Sequence, residues 1–294
     1  MSGYKDEEDI KRDAEKMVEV QDLWFSYNKE KWALKGINME LIRGEKTVLL
    51  GSNGSGKTTL LLHLNGILIP DKGRIKVSGN YLSYTKKALT EVRKRVGIVF
   101  QNPDDQIVAP IVFQDVALGP VNLRLSDGEV KNRVKRALNE LNIEELSDRK
   151  AHELSEGEKK KVAIAGVLAM EPEILVLDEP TSGLDPQSSE DLITIIDSMY
   201  KQNDNMAVLV ATHNVELAYE WADRVIVLSE GEIVKSGKPY EVLGDEKVIK
   251  SGRLAMPRVL RIYKGIEMAA CENPGVPPRS VEELLKVMKG NLRQ

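Results

Sequence analysis

Gly51-Ser-Asn-Gly-Ser-Gly-Lys-Thr58 fits the pattern G-x-x-x-x-G-K-[ST]. It lies between an apolar run, Thr47-Val-Leu-Leu50, and an apolar helical stretch, Thr59-Leu-Leu-Leu-His-Leu64. A strand, a glycine-rich loop and a helix in that order are the context a phosphate-binding loop requires. The glycines Gly51, Gly54 and Gly56 let backbone N–H groups along Ser52, Asn53 and Ser55 close around phosphate oxygens, and the start of the helix adds partial positive charge. Lys57 can reach the β- and γ-phosphates, and the Thr58 hydroxyl, next to Thr59, can hold Mg²⁺. The competing reading, a flexible surface loop, explains neither the flanking strand nor the helix. The stretch therefore predicts a nucleoside triphosphate site, with ATP and Mg²⁺ as the expected ligands.

Composition sets the outer limits. The chain has 294 residues, 41% of them hydrophobic, 30% charged and 5% aromatic. That is enough for one large α/β domain with an appendage. The net charge of −4 gives no broadly basic surface for nucleic acid. A single cysteine, Cys271, excludes a disulfide within the chain and fits a reducing compartment. The stretch from Met1 to Lys16 is mostly charged and has no apolar core of a secretory signal. No run approaches the roughly 20 apolar residues that span a bilayer, so any membrane work would need other chains to cross it.

The pattern divides the chain into a charged tail over 1–16, a nucleotide-binding domain over 17–240 and a helical appendage over 241–294. Strands are expected at Val18–Phe25, Ile37–Ile42, Lys46–Leu50, Arg74–Val77 and Val96–Phe100. Val112–Asp148 reads as helical, with Val130, Val134, Leu138 and Leu141 three or four residues apart. Ile174–Leu177, Met206–Ala211 and Arg224–Leu228 are short apolar runs of the kind buried on both faces of a parallel sheet. Strands alternating with helices predict a mostly parallel α/β sheet. Beyond Tyr240 the prolines Pro257, Pro274, Pro277 and Pro278 interrupt the chain. Ser280-Val-Glu-Glu283 reads as a capping box opening a last helix, with Val281, Leu284, Leu285 and Met288 on one face.

Two further stretches carry chemistry. Ile174-Leu-Val-Leu-Asp178-Glu179 is a strand ending in two carboxylates. Downstream of a phosphate loop this is the arrangement in which Asp178 holds Mg²⁺ and Glu179 polarises an attacking water. Leu154-Ser-Glu-Gly157-Glu158 precedes an apolar helix, Val162–Ala169. It reads either as an ordinary capping box of Ser155 and Glu158 or as an anion-binding helix start.

With the order of these parts in place, the chain resembles the ATP-binding cassette (ABC) ATPases over about residues 18–240. The resemblance implies a P-loop core, an N-terminal antiparallel β subdomain, a helical signature subdomain and ATPase activity. It implies that Leu154–Glu158 is the signature loop, Gln101 the Q-loop residue, Ser182-Gly-Leu-Asp185 the D-loop and His213 the switch histidine. Tyr27, some thirty residues before Lys57, stands where the family stacks adenine, although Trp24 and Phe25 compete for that place. His63 and His152 have no such placement. In the family two cassettes pair head to tail. By that analogy Lys57 and the loop hold the phosphates, Ser155 and Gly157 of the second subunit close on the γ-phosphate, Glu179 orients water, and His213 contacts the γ-phosphate. Thr58, Gln101 and Asp178 attend Mg²⁺. One departure stands out: the common signature has Gly and Gln where this chain has Glu156 and Glu158. A carboxylate about 8 Å from the γ-phosphate costs on the order of 2 kcal/mol at an effective dielectric of 20, which Lys159, Lys160 and Lys161 can offset.

Phe100-Gln-Asn-Pro-Asp-Asp-Gln106 and Asp115-Val-Ala-Leu-Gly-Pro120 are similar to ATPases of energy-coupling factor (ECF) transporters, in particular the cobalt/nickel branch. That resemblance implies a peripheral protein on the cytoplasmic face of the cell membrane. Its partners would be a second ATPase subunit, identical or a paralogue, a transmembrane scaffold protein, and an integral membrane protein that binds the substrate; nucleic acid is not among them. Asp104 and Asp105 would either meet arginines of the scaffold or cap the following turn. The alternatives are the ATPase of a vitamin ECF transporter, of a conventional ABC transporter with its own permease, or a soluble ABC protein of repair or translation. The spacing of about a hundred residues between Lys57 and Ser155 argues against the coiled-coil repair type.

Overall fold

The computed structural model describes residues 16–203, 205–270 and 277–291. The chain runs through β1 (Lys16–Phe25), β2 (Leu34–Ile42), β3 (Lys46–Leu50), α1 (Lys57–Leu64), β4 (Lys72–Val77), β5 (Asn80–Tyr81), α2 (Lys86–Arg95) and β6 (Val96–Val99). A helical segment follows: α3 (Val112–Asn122), α4 (Asp127–Glu140) and α5 (Glu156–Leu168). Then come β7 (Ile174–Asp178), α6 (Pro186–Gln202), β8 (Ala207–Thr212), α7 (Val215–Trp221), β9 (Arg224–Ser229) and β10 (Glu232–Gly237). The described chain closes with α8 (Pro239–Leu243), α9 (Glu246–Gly252), α10 (Arg258–Ala270) and α11 (Val281–Asn291). The tail before residue 16, Cys271 and Pro274 lie outside the described residues.

Two sheets form. One has the order β2-β1-β4-β5 and is antiparallel; the other has the order β10-β9-β3-β8-β7-β6 and is parallel except for the edge strand β10. The expected α/β fold with an antiparallel β subdomain is therefore present. Alternation along each parallel strand divides the apolar side chains between two cores. Val48 and Leu50 of β3, Leu175 and Leu177 of β7, and Val208 and Val210 of β8 face the helices α3–α6. Leu49, Ile174, Val176 and Leu209 face α1 and the antiparallel sheet. Burial on both faces is why these strands read as unbroken apolar runs. The loops at their C-terminal ends carry the site, as is usual in open α/β sheets.

The segment after residue 240 shares the first core rather than building its own: Val242, Leu243, Val248, Val259, Leu260, Tyr263 and Leu284 all enter it. Three expectations change in detail. β6 stops at Val99, because the Phe100 N–H leaves the ladder and donates to Gln106 Oε1 at 2.9 Å. The helical stretch from Val112 runs through Pro120 and ends at Asn122, and Arg124 takes φ +60° before α4 starts at Asp127. The last helix forms, with Ser280 Oγ accepting from Glu283 N, but the Glu283 carboxylate takes the N–H of Arg279 at 2.7 Å instead of that of Ser280. Of its expected apolar face only Leu284 is buried, while Val281, Leu285 and Met288 are exposed.

Candidate functional site

The turn from β3 into α1 is built by close packing that no side chain would survive. A Cβ on Gly51 would lie 2.4 Å from the carbonyl oxygen of Leu228 and 2.6 Å from Ser55 Oγ. Gly56 takes φ +110° directly before the helix. Lys57 is thereby fixed at the first position of α1, almost fully buried. Its Nζ donates to Gly51 O at 2.8 Å and lies 3.3 Å from Glu179 Oε1.

Opposite it stands the end of β7. Thr58 Oγ1 donates to Asp178 Oδ2 at 2.6 Å. Burial pushes the Asp178 carboxyl above the ordinary carboxylate range, a shift that the hydrogen bond from Thr58 opposes. Asp178 Oδ1 is buried and takes no hydrogen bond. A hydroxyl, a carboxylate and an unused carboxylate oxygen side by side are hard oxygen donors of the kind that suit Mg²⁺. Gln101 lines the same cleft from the end of the Val96–Val99 strand.

Glu179 follows with φ +46°, a left-handed backbone. Neighbours on a straight strand would face opposite ways. The turn lets Asp178 and Glu179 line one cleft. Glu179 is buried and held from several sides: Thr212 Oγ1 donates to its Oε2 at 3.0 Å, and His213 Nδ1 lies 3.0 Å from its Oε1. Its own N–H donates to Ala211 O at 2.8 Å.

These parts face a cleft of about 920 Å³ lined by Tyr27, the loop residues Ser52–Thr59, Gln101, Asp178 and Glu179. Tyr27 is 65% exposed and its hydroxyl is 3.0 Å from Thr59 Oγ1. The other two aromatic candidates are occupied elsewhere. Phe25 is core, edge-on to Tyr27 and to His63. Trp24 meets Trp32 edge to face at 5.4 Å, with the Lys72 ammonium near both rings. His63 is a buried packing residue whose Nδ1 sits 2.7 Å from Thr59 O; burial holds its pKa below the usual value.

The cleft also has walls that motif reading missed. Trp32, Lys31 and Lys35 contribute one side. Glu230 and Arg253, paired at 2.8 Å, contribute another. Arg253 arrives from the end of α9 in a left-handed conformation, so only the folded chain brings it there.

Of the signature stretch, Ser155 and Gly157 do not line this cleft, while Glu156 lines a neighbouring groove with Thr58, Gln101 and Asp178. Ser155 and Gly157 line a separate groove with Glu158, Lys161, Leu184 and Ser188. The capping box is complete: Ser155 Oγ accepts from Glu158 N, and the Glu158 carboxylate takes the Ser155 N–H at 2.7 Å and its hydroxyl at 2.8 Å. Those hydrogen bonds from Ser155 hold the Glu158 carboxyl below its usual range. Asp185 caps α6 by accepting from Ser188 N at 3.0 Å, and the Ser188 hydroxyl also donates to its carboxylate. Asn102, not an aspartate, caps the turn after Gln101, and Asp104 is paired with Lys159 at 2.7 Å. Gln106 ties that turn to α5 by donating to Ala163 O at 3.2 Å.

Comparisons with known proteins give the chain's family and fold. Residues 34–182 match the family model described as ABC transporter. The chain is 44% identical to an energy-coupling factor transporter ATP-binding protein of Methanospirillum hungatei, over 94% of this chain and 69% of that one. It is 48% identical to another of Methanocaldococcus jannaschii, over 84% and 88%. Among solved structures, cbiO1 of Clostridium perfringens, described as part of the ABC transporter complex cbiONQ, matches with a TM-score of 0.73 and 41% identity, over 85% of this chain and 99% of that one. A dimeric ATP-binding cassette in a post-hydrolysis state with ADP and Pi matches with a TM-score of 0.67 and 26% identity, over 76% and 99%.

Proposed function

The chain belongs to the ABC transporter ATPases, among the energy-coupling factor ATP-binding proteins, and we propose that it works as one half of a head-to-tail ATPase pair driving micronutrient uptake. The observation that carries this reading is the separation of two half-sites. The phosphate loop, Asp178 and Glu179 share one cleft, while Ser155 and Gly157 sit on another groove of the same chain. A second copy turned about a two-fold axis would bring its signature groove over the first copy's nucleotide. Ser155 and Gly157 would then meet the γ-phosphate from outside.

In this reading Tyr27 stacks on the base, and the backbone from Gly51 to Thr59 wraps the phosphates. Lys57 holds the β/γ oxygens. Glu179 orients the water that attacks the γ-phosphorus as the bond to the ADP oxygen breaks, and His213 steadies that carboxylate and the γ-phosphate. Mg²⁺ held by Thr58, Asp178 and Gln101 would neutralise charge between the β- and γ-phosphates. Lys57 pairs with Glu179 in this structure; phosphate would compete for the same ammonium and leave Glu179 to act on water. Loss of the γ-phosphate removes the charge that holds the two subunits together, which turns chemistry into motion.

We further propose a peripheral position on the cytoplasmic face of the membrane, with a transmembrane scaffold protein and an integral membrane substrate-binding protein as partners. No described helix is long and apolar enough to cross a membrane. A divalent cobalt or nickel ion is the proposed cargo, on the resemblance of Phe100–Gln106 and Asp115–Pro120 to the cobalt/nickel branch. Affinity purification from native membranes, with mass spectrometry and uptake of labelled cobalt, nickel and vitamins, tests the whole reading. Recovery of a helical scaffold and a small binding protein, with cobalt or nickel uptake, is expected. Recovery of a paired permease with a lipid-anchored binding protein would overturn the ECF arrangement, and vitamin uptake alone would overturn the metal cargo.

A further inference from the structure

Lys160 is 4% exposed, although it stands among three consecutive lysines at the start of α5. Its neighbours have other duties. Lys159 pairs with Asp104, and Lys161 lines the signature groove. The Lys160 ammonium donates to the carbonyl of Ser182, in the turn that leaves Glu179, where Ser182 N donates to Glu179 O at 3.1 Å. Burial draws its pKa down, while the negative charges of Glu156, one helical turn earlier, and of Glu179 hold it up. Glu156 reaches the same turn from the other side. A Cβ on Gly183 would lie 2.3 Å from Glu156 Oε1, so the carboxylate rests directly on that glycine. Glu156 also lines a groove with Thr58, Gln101, Asp178 and Ser182.

We propose that Lys160 is a positioning residue: its ammonium clamps the Ser182–Gly183 turn to the start of α5 and balances the charge of Glu156. The inference rests on the head-to-tail reading, in which the N-terminus of α5 serves the second subunit's nucleotide while Glu179 serves its own. Lys160 then joins the two half-sites within one chain. It also accounts for an acidic residue in a loop that must approach a phosphate. Glu156 does not stand alone there, because a buried cation and the D-loop backbone share its field. A lysine buried only for packing would owe nothing to Glu156, and that difference is measurable.

The test compares Lys160→Gln, Lys160→Met, Lys160→Arg, Glu156→Gln and the double variant Lys160→Gln/Glu156→Gln in the full chain. Steady-state MgATP hydrolysis and ATP-dependent dimerisation are followed, with thermal unfolding as the check on folding. Lys160→Gln keeps a donor for Ser182 but removes the charge. It should lower kcat about tenfold, with KM for ATP within twofold. Adding Glu156→Gln should restore kcat to within threefold of the parent, and Lys160→Arg should retain most activity. If Lys160→Met unfolds, the Gln series carries the comparison unaided. An unchanged kcat in Lys160→Gln, or no restoration by Glu156→Gln in a folded double variant, overturns the proposal. Absence of ATP-dependent dimers in the unsubstituted chain would instead overturn the head-to-tail reading.

Discussion

His213 Nδ1 and Glu179 Oε1 lie 3.0 Å apart at the ends of adjacent parallel strands, β8 and β7. Lys57 Nζ approaches the same oxygen at 3.3 Å. Two residues from different parts of the chain, His213 after β8 and Lys57 at the start of α1, converge on one carboxylate oxygen, so its removal and its neutralisation should differ. Glu179→Gln keeps the shape and the donor from Thr212. It should lower ATP turnover by about 10²–10⁴ while ATP binding persists and ATP-bound dimers accumulate. Turnover and size-exclusion chromatography with ATP check this; residual activity above a tenth would remove Glu179 from the chemistry.

Tyr27 offers an open ring over the cleft. Tyr27→Ala should weaken ATP binding by about 1–3 kcal/mol, the usual worth of a base stacked on an aromatic, and Tyr27→Phe should lose little. Titration calorimetry distinguishes them. An equal loss in both variants would assign the effect to the hydroxyl contact with Thr59.

Gly183 combines a left-handed backbone, φ +77°, with the Glu156 carboxylate where a Cβ would stand. Gly183→Ala should destabilise the protein by about 1–2 kcal/mol from the backbone alone, with the contact adding to it. Glu156→Gly in the same chain should return only the second part. Urea unfolding of the four proteins closes the cycle.

Tyr219 is fully buried on α7, donates to Pro278 O at 2.9 Å, and has its pKa pushed up to about 12 by burial. A raised folded-state value means that its contribution is whole below pH 10 and is lost as pH rises through about 12. Tyr219→Phe should cost about 0.5–1.5 kcal/mol at pH 8 and flatten the alkaline fall in stability. The flattening should be partial, because Tyr84 titrates in the same range. Denaturant midpoints from pH 8 to 12 measure both effects.

Thr58→Ala removes the 2.6 Å hydrogen bond to Asp178 and one proposed Mg²⁺ ligand. ATPase activity should then need at least tenfold more Mg²⁺ for half-saturation, on the scale of losing one of few protein ligands. A Mg²⁺ titration at fixed ATP reads it, and an unchanged midpoint would remove Thr58 from the metal site.

What could be read in advance follows from burial and spacing. Val48–Leu50 and Ile174–Leu177 announced themselves because both faces are covered, which leaves only apolar side chains there. β10 did not, because it is an edge strand with Glu232 and Ser236 exposed and no fully buried residue. α2 has no buried residue, so no apolar stripe marks it. Trp32, Glu230 and Arg253 escaped because each reaches the cleft from a different part of the chain and belongs to no contiguous motif. The last helix was read as an apolar stripe, yet most of that stripe faces outward; period alone gives the helix and not what covers it.

The left-handed backbone at Glu179 also governs the mutational tolerance of that position. Val, Ile and Thr are poorly suited to φ near +46° because of their branched Cβ, whereas Asp, Asn and Gln are not branched there. In a saturation library the first group should disappear from the soluble fraction and the second should remain as folded, inert protein. A genetic screen scored on transport alone would count both as the same defect. Sorting variants by abundance before scoring transport would separate a broken turn from a silenced carboxylate.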